Sequence, residues 1–121
     1  MEGNGITISS PGYSEQQNYS NNLQCEWIFT AGAGEKVSFT IIKIETEYGY
    51  DMVRIYDGVG EDKEKAPILT TMSGVETQEA IISSKEQMRV TFTSDVNVNK
   101  TGFQANVIAF KKAGEETIIC L

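Results

Sequence analysis

Leu23-Gln24-Cys25-Glu26-Trp27-Ile28-Phe29 carries Leu23, Cys25, Trp27 and Phe29 at every second position, with Asn22, Gln24 and Glu26 between them. A period of two belongs to a strand with one face buried. Moving outward, Val37, Phe39 and Ile41 repeat the pattern before Ile42 and Ile44 shift it by one, which predicts a β-bulge or bend near Ile41-Ile42. Further strands are expected at Ile6 to Ser9, Met52 to Tyr56, Ile68 to Met72, Glu79 to Ile82, Met88 to Thr93 and Phe103 to Phe110. Turn signals separate them: Ser10-Pro11-Gly12, Ala31-Gly32-Ala33-Gly34, Asp57-Gly58-Val59-Gly60, Ser73-Gly74 and Thr101-Gly102. Sustained helical periodicity is absent. The expected fold class is therefore all-β, a two-sheet antiparallel sandwich or jelly roll of about eight to ten short strands.

At 121 residues the chain is long enough for one packed core and too short for two. Residues 1–112 are expected to form the domain, with 113–121 as a C-terminal tail whose last five residues, Thr117 to Leu121, either add an edge strand or dangle. The formal charge of −7 repels phosphate backbones, which argues against nucleic acid, and suits a cationic partner or a metal ion. The chain has no histidine, so nucleophile pairs that need one and zinc sites that contain one are excluded. Its two cysteines, Cys25 and Cys120, are too few for a zinc cluster or a dense disulfide framework, and Cys25 reads as a small apolar core residue.

No stretch has the length and apolarity of a membrane span, so membrane insertion is not expected. Met1-Glu2-Gly3-Asn4 lacks the features of a signal peptide, which fits either an intracellular protein or, as the motifs below favour, a piece excised from a longer protein with a start methionine added. Sequons at Asn18 and Asn99 fit exposed loops of a secreted protein.

The acids are unevenly placed. Glu45 and Glu47 fall at the end of one strand, Asp51 and Asp57 bracket Met52 to Tyr56, and Asp95 follows Thr93. If the strand ending at Glu45 turned through a short loop and Asp51 began the return as its antiparallel neighbour, Asp95 could join them at one tip of the sandwich. Carboxylates so close raise one another's pKa, and a hard divalent cation removes that cost. Calcium takes six to eight oxygens from carboxylates, loop carbonyls and water. Spacing alone leaves open that these acids are separately solvated. A glycosidase-like pair would need carboxyls roughly 5 to 9.5 Å apart across a cleft. Nothing else in the chain suggests a nucleophile or base, and no enzyme is expected.

Four phrases together resemble the CUB family, a β-sandwich of extracellular proteins. They are Ser10-Pro11-Gly12-Tyr13, the run Tyr19-Ser20-Asn21-Asn22-Leu23-Gln24-Cys25-Glu26-Trp27, the stretch Tyr50-Asp51-Met52-Val53-Arg54-Ile55-Tyr56-Asp57-Gly58, and Phe92-Thr93-Ser94-Asp95 followed by Gly102-Phe103. Each is weak alone; their order and spacing are specific.

The resemblance implies a calcium ion (Ca2+) held by Glu45, Asp51 and Asp95 with the carbonyl of Asn97, Glu47 competing with Glu45 for its place. It implies that Tyr19 braces an acid through its hydroxyl, and that Tyr19, Glu47 and Tyr48 lie where a partner docks. The expected function is a noncatalytic, calcium-dependent protein-interaction module in the secreted or extracellular part of a larger protein, accepting a partner's Lys or Arg. A metal-free carbohydrate-binding or structural module is the alternative, with a glycan meeting exposed aromatics such as Tyr13, Tyr48 or Tyr50. The chain departs from the family at the positions of its usual second disulfide, which match Tyr48 and Ser73.

Overall fold

The computed structural model describes residues 5–59 and 66–111. Eight strands run in order: β1 (Ile6–Ser9), β2 (Gln24–Thr30), β3 (Lys36–Glu45), β4 (Met52–Tyr56), β5 (Ile68–Met72), β6 (Ile81–Ile82), β7 (Gln87–Thr93) and β8 (Gly102–Phe110). They form two four-stranded antiparallel sheets, β1-β8-β3-β6 and β2-β7-β4-β5, and no helix occurs among the described residues. Every expected strand is present, though β6 is reduced to two residues. The tail expected at 113–121, with Cys120, lies outside the described residues.

The core forms where the alternating side chains of the two sheets meet. Phe39, Val53, Ile55, Met72, Met88, Val90, Phe92, Phe103, Ala105 and Val107 are fully buried there. Their burial is the main driving force for the fold, worth on the order of 1.5–3 kcal/mol for each large side chain. Trp27 and Cys25 pack against this cluster from β2 and are half-buried. Burial pushes the Cys25 thiol above its ordinary pKa, as suits an apolar packing role.

The pairing of β3 with β8 slips by one residue between Ile41 and Lys43. Ile41 and Ile44 can then both face the core while Ile42 is exposed, the bulge that the sequence pattern predicts.

One expectation is corrected. β3 and β4 are not antiparallel neighbours: β3 pairs with β8 and β6, whereas β4 pairs with β7 and β5 in the opposite sheet. The segment 46–51 therefore crosses from one sheet to the other, a gap of about 10 Å. Asp51 nevertheless meets Asp95, because β4 begins where its true neighbour β7 ends, with Met52 opposite Thr93.

Aromatic rings link the core to that end of the sandwich. Trp27 meets Phe103 edge-on at 5.6 Å, Phe103 meets Phe92 at 5.4 Å, and Phe92 meets Tyr19 at 5.0 Å. Gly102 sits beside this column with φ at +98°, where a Cβ would lie 1.9 Å from the Ser10 hydroxyl oxygen. That hydroxyl accepts the N–H of Phe103 at 3.0 Å and anchors the start of β8.

A candidate metal centre at the tip of the sandwich

The crossing segment 46–51 is held by its own backbone and by one hydroxyl. Tyr50 and Asp51 both donate their N–H to the carbonyl of Glu47, at 3.2 and 3.0 Å. Ser73 Oγ accepts the N–H of Gly49 at 2.9 Å and lies 2.8 Å from the carbonyl of Asp51 and 3.3 Å from that of Glu47. Thr46, buried, donates from Oγ1 to the Asp51 carbonyl at 3.0 Å and accepts the N–H of Gly74 at 2.9 Å. Tyr48 lies over Gly74, where an added Cβ would come within 2.9 Å of its ring. Tyr48 and the Ser73-Gly74 turn are thus in contact without a disulfide, and polar bonds from Ser73 and Thr46 fix the loop.

Asp51 is 0% exposed. Its carboxylate accepts the Tyr19 hydroxyl at 2.5 Å on Oδ2 and the N–H of Asp95 at 2.9 Å on Oδ1. Both donors satisfy carboxylate oxygens that burial has removed from water. Tyr19 gives its ring to the core and its hydroxyl to Asp51; burial first, then that hydrogen bond, raises its pKa further above the ordinary value. Its carbonyl accepts the Asn99 side-chain amide at 2.5 Å, and its N–H donates to the Lys100 carbonyl at 3.2 Å.

Glu47, Asp51 and Asp95 each bring a carboxylate oxygen within 4.8 Å of the others. Glu47 Oε1 is buried with no hydrogen-bond partner among the described residues. The Glu47 carboxyl titrates above its usual range. Burial is the largest cause, followed by the nearby carboxylate of Asp95 and the charge of Asp51; Lys100 opposes the shift. A cluster of hard oxygens with one buried oxygen unpartnered is the chemistry that a divalent cation satisfies.

Glu45, expected as a ligand, is not in this group. It is the last residue of β3, paired with Gly102, and lies before the turn that brings Glu47 against Asp51. Asn97 follows Asp95 on the same exposed loop and donates its N–H to Asp95 Oδ1 at 3.2 Å. Tyr19, expected at the partner-facing surface, is 1% exposed and supports the site from below. Tyr48 is 80% exposed. Tyr50 and Val75 near the crossing segment, and Val96 and Val98 on the loop after Asp95, are also exposed, so apolar side chains accompany the acids. The sequence reading missed the valines, whose exposure follows from loop placement rather than strand period, and the clamps by Thr46, Ser73 and Asn99.

Against known proteins, the profile described as CUB domain matches residues 1–107. The chain belongs to the CUB family. Tolloid-like protein 2 of Homo sapiens is 35% identical over 109 residues, covering 87% of this chain and 10% of the relative. This CUB domain thus spans about a tenth of the length of such relatives. Among solved structures, the human MASP-1/3 CUB1-EGF-CUB2 domain resembles it with a TM-score of 0.74 and 28% identity, over 91% of this chain and 43% of the other. The MASP-1 CUB2 domain, solved bound to Ca2+, has a TM-score of 0.72 over 89% of this chain and 99% of its own, and at 19% identity shows the shared fold.

Proposed function

We propose that this CUB domain is a noncatalytic module that binds a partner protein through a calcium ion held by Glu47, Asp51 and Asp95, with the carbonyl of Asn97 as a further ligand. The observation that carries the reading is the convergence of three carboxylates around a buried, unpartnered oxygen of Glu47. All the donors are hard oxygens on loops, which suits calcium's flexible coordination better than magnesium's stricter octahedron. When bound, the ion supplies positive charge that cancels the repulsion among the acids and fixes their oxygens.

The chain's own residues do the rest. Tyr19 and the N–H of Asp95 orient Asp51, while Ser73 and Thr46 hold the crossing segment. The outward lone pairs of Glu47 and Asp95, which are partly exposed, accept a partner's Lys or Arg in a charge-assisted hydrogen bond. Tyr48 and Val75 supply exposed contact area beside them. Asp51, fully buried, offers no access to a substrate as half of a glycosidase pair. The family and the acidic tip support a secreted or extracellular setting within a larger protein, and no helix among the described residues is long and apolar enough to cross a membrane.

The test is thermal unfolding of the chelator-treated protein with added calcium, magnesium or neither. Selective binding to the folded state raises the midpoint with calcium by mass action. A folded sample whose midpoint ignores millimolar calcium would rule the proposal out.

A further inference from the structure

The sequence contains two arginines, Arg54 and Arg89. They lie on the neighbouring strands β4 and β7, and both line one groove of about 380 Å³ on the outer face of the β2-β7-β4-β5 sheet. The register makes them diagonal neighbours, because Arg54 is opposite Thr91 and Arg89 is opposite Tyr56. Arg89 is held in place: its Nε is 2.7 Å from Glu26 Oε2, and its guanidinium lies 4.5 Å over the Tyr56 ring. Arg54 is half-buried and donates to Thr93 Oγ1 at 3.3 Å and to Met52 Sδ at 3.1 Å, with no carboxylate partner among the described residues.

In a chain of net charge −7, a partly desolvated guanidinium with no acid beside it among the described residues is unexpected. Among the described residues that line it, the groove has two positive charges and one negative, and the negative charge faces Arg89. Arg54 therefore presents a preorganised fork to whatever enters. The row through Arg89 also has exposed isoleucines on either side: Ile28 pairs with Arg89, Arg89 with Tyr56, and Tyr56 with Ile68. Arg and Tyr flanked by exposed aliphatics is the composition of a protein contact centre, whereas a saccharide would leave the isoleucines uncovered.

We propose that this groove is a second docking site, which receives an Asp or Glu side chain of a partner protein on Arg54, with Ile28 and Ile68 as the apolar flanks. The site uses none of the acids at the tip and is independent of calcium.

The experiment is NMR titration of the labelled protein in chelator with a capped peptide, Ser-Gly-Asp-Leu-Glu-Gly-Ser, against its Asn/Gln counterpart and a sulfated disaccharide. The acidic peptide should give saturable shifts at the Arg54 and Arg89 Nε–H signals and at the Thr91 and Thr93 amides, unchanged when calcium replaces chelator. Arg54→Gln should weaken binding at least tenfold. Should that variant not fold, Arg54→Lys keeps the charge, loses the fork and should still weaken binding several-fold. Equal shifts from the neutral peptide, shifts from the disaccharide alone, no saturable shift, or undiminished binding by the variant would each overturn the proposal. A failure here leaves the calcium response of the thermal midpoint untouched, so the two readings fall separately.

Discussion

Tyr19 and Asp51, 32 positions apart in the chain, are joined by a buried hydrogen bond of 2.5 Å from hydroxyl to Oδ2. The bond ties the aromatic column of the core to the acid at the centre of the tip. Tyr19→Phe keeps the ring packing and leaves Oδ2 without its donor, at a cost of about 1–3 kcal/mol for a buried acceptor. Calcium affinity should fall by roughly 10- to 100-fold, as for other partners that orient a metal ligand. Urea unfolding in chelator and calorimetric calcium titration measure the two effects separately.

Glu47→Gln should act in opposite directions with and without the ion. It removes one charge from three crowded carboxylates, so in chelator the variant should be at least as stable as the parent. In calcium it should lose most of the gain in midpoint, because a charged ligand is gone. Melting curves of both proteins under both conditions form the check.

The raised pKa of Glu47 sets a pH dependence. In the metal-free protein the folded state holds this proton more tightly than the unfolded state, whose carboxyl titrates near the ordinary 4.5. The stability it contributes is therefore fully present below 4.5, falls as pH rises from there through the raised folded value, and levels off above it. Subtracting the unfolding free energy of Glu47→Gln, measured in chelator from pH 4 to 8, isolates that decline. Calcium should abolish it.

Ser73→Ala removes the hydroxyl shared by Gly49, Glu47 and Asp51. The expected loss is about 1–2 kcal/mol in denaturant unfolding. Hydrogen exchange should be faster at the Gly49 amide and little changed at the core strands.

Gly102→Ala puts a Cβ onto the Ser10 hydroxyl in a backbone region that disfavours it. The substitution should cost more than about 2 kcal/mol and lower the thermal midpoint with or without calcium.

The strands were legible because most of them bury one face: the alternation from Leu23 to Phe29 and the slip at Ile41-Ile42 both reappear in the sheets. Which strands are neighbours was less so. Val37 to Glu45 and Met52 to Tyr56 are close in sequence, and only the pairing of each with a distant strand shows that 46–51 crosses between sheets. Asp51 and Asp95 could be picked out from their place at strand ends. Choosing Glu47 over Glu45 depends on the turn closed by the Glu47 carbonyl, which period-two reading does not encode. Ser73, Thr46 and Asn99 carry no pattern of their own; their roles exist only once the loops are assembled.

The central claim is tested most directly by a crystal structure of the protein grown in calcium. The account predicts one ion bonded to oxygens of Glu47, Asp51 and Asp95 at about 2.3–2.6 Å. A well-ordered tip at millimolar calcium, with only water among those three side chains, would contradict it.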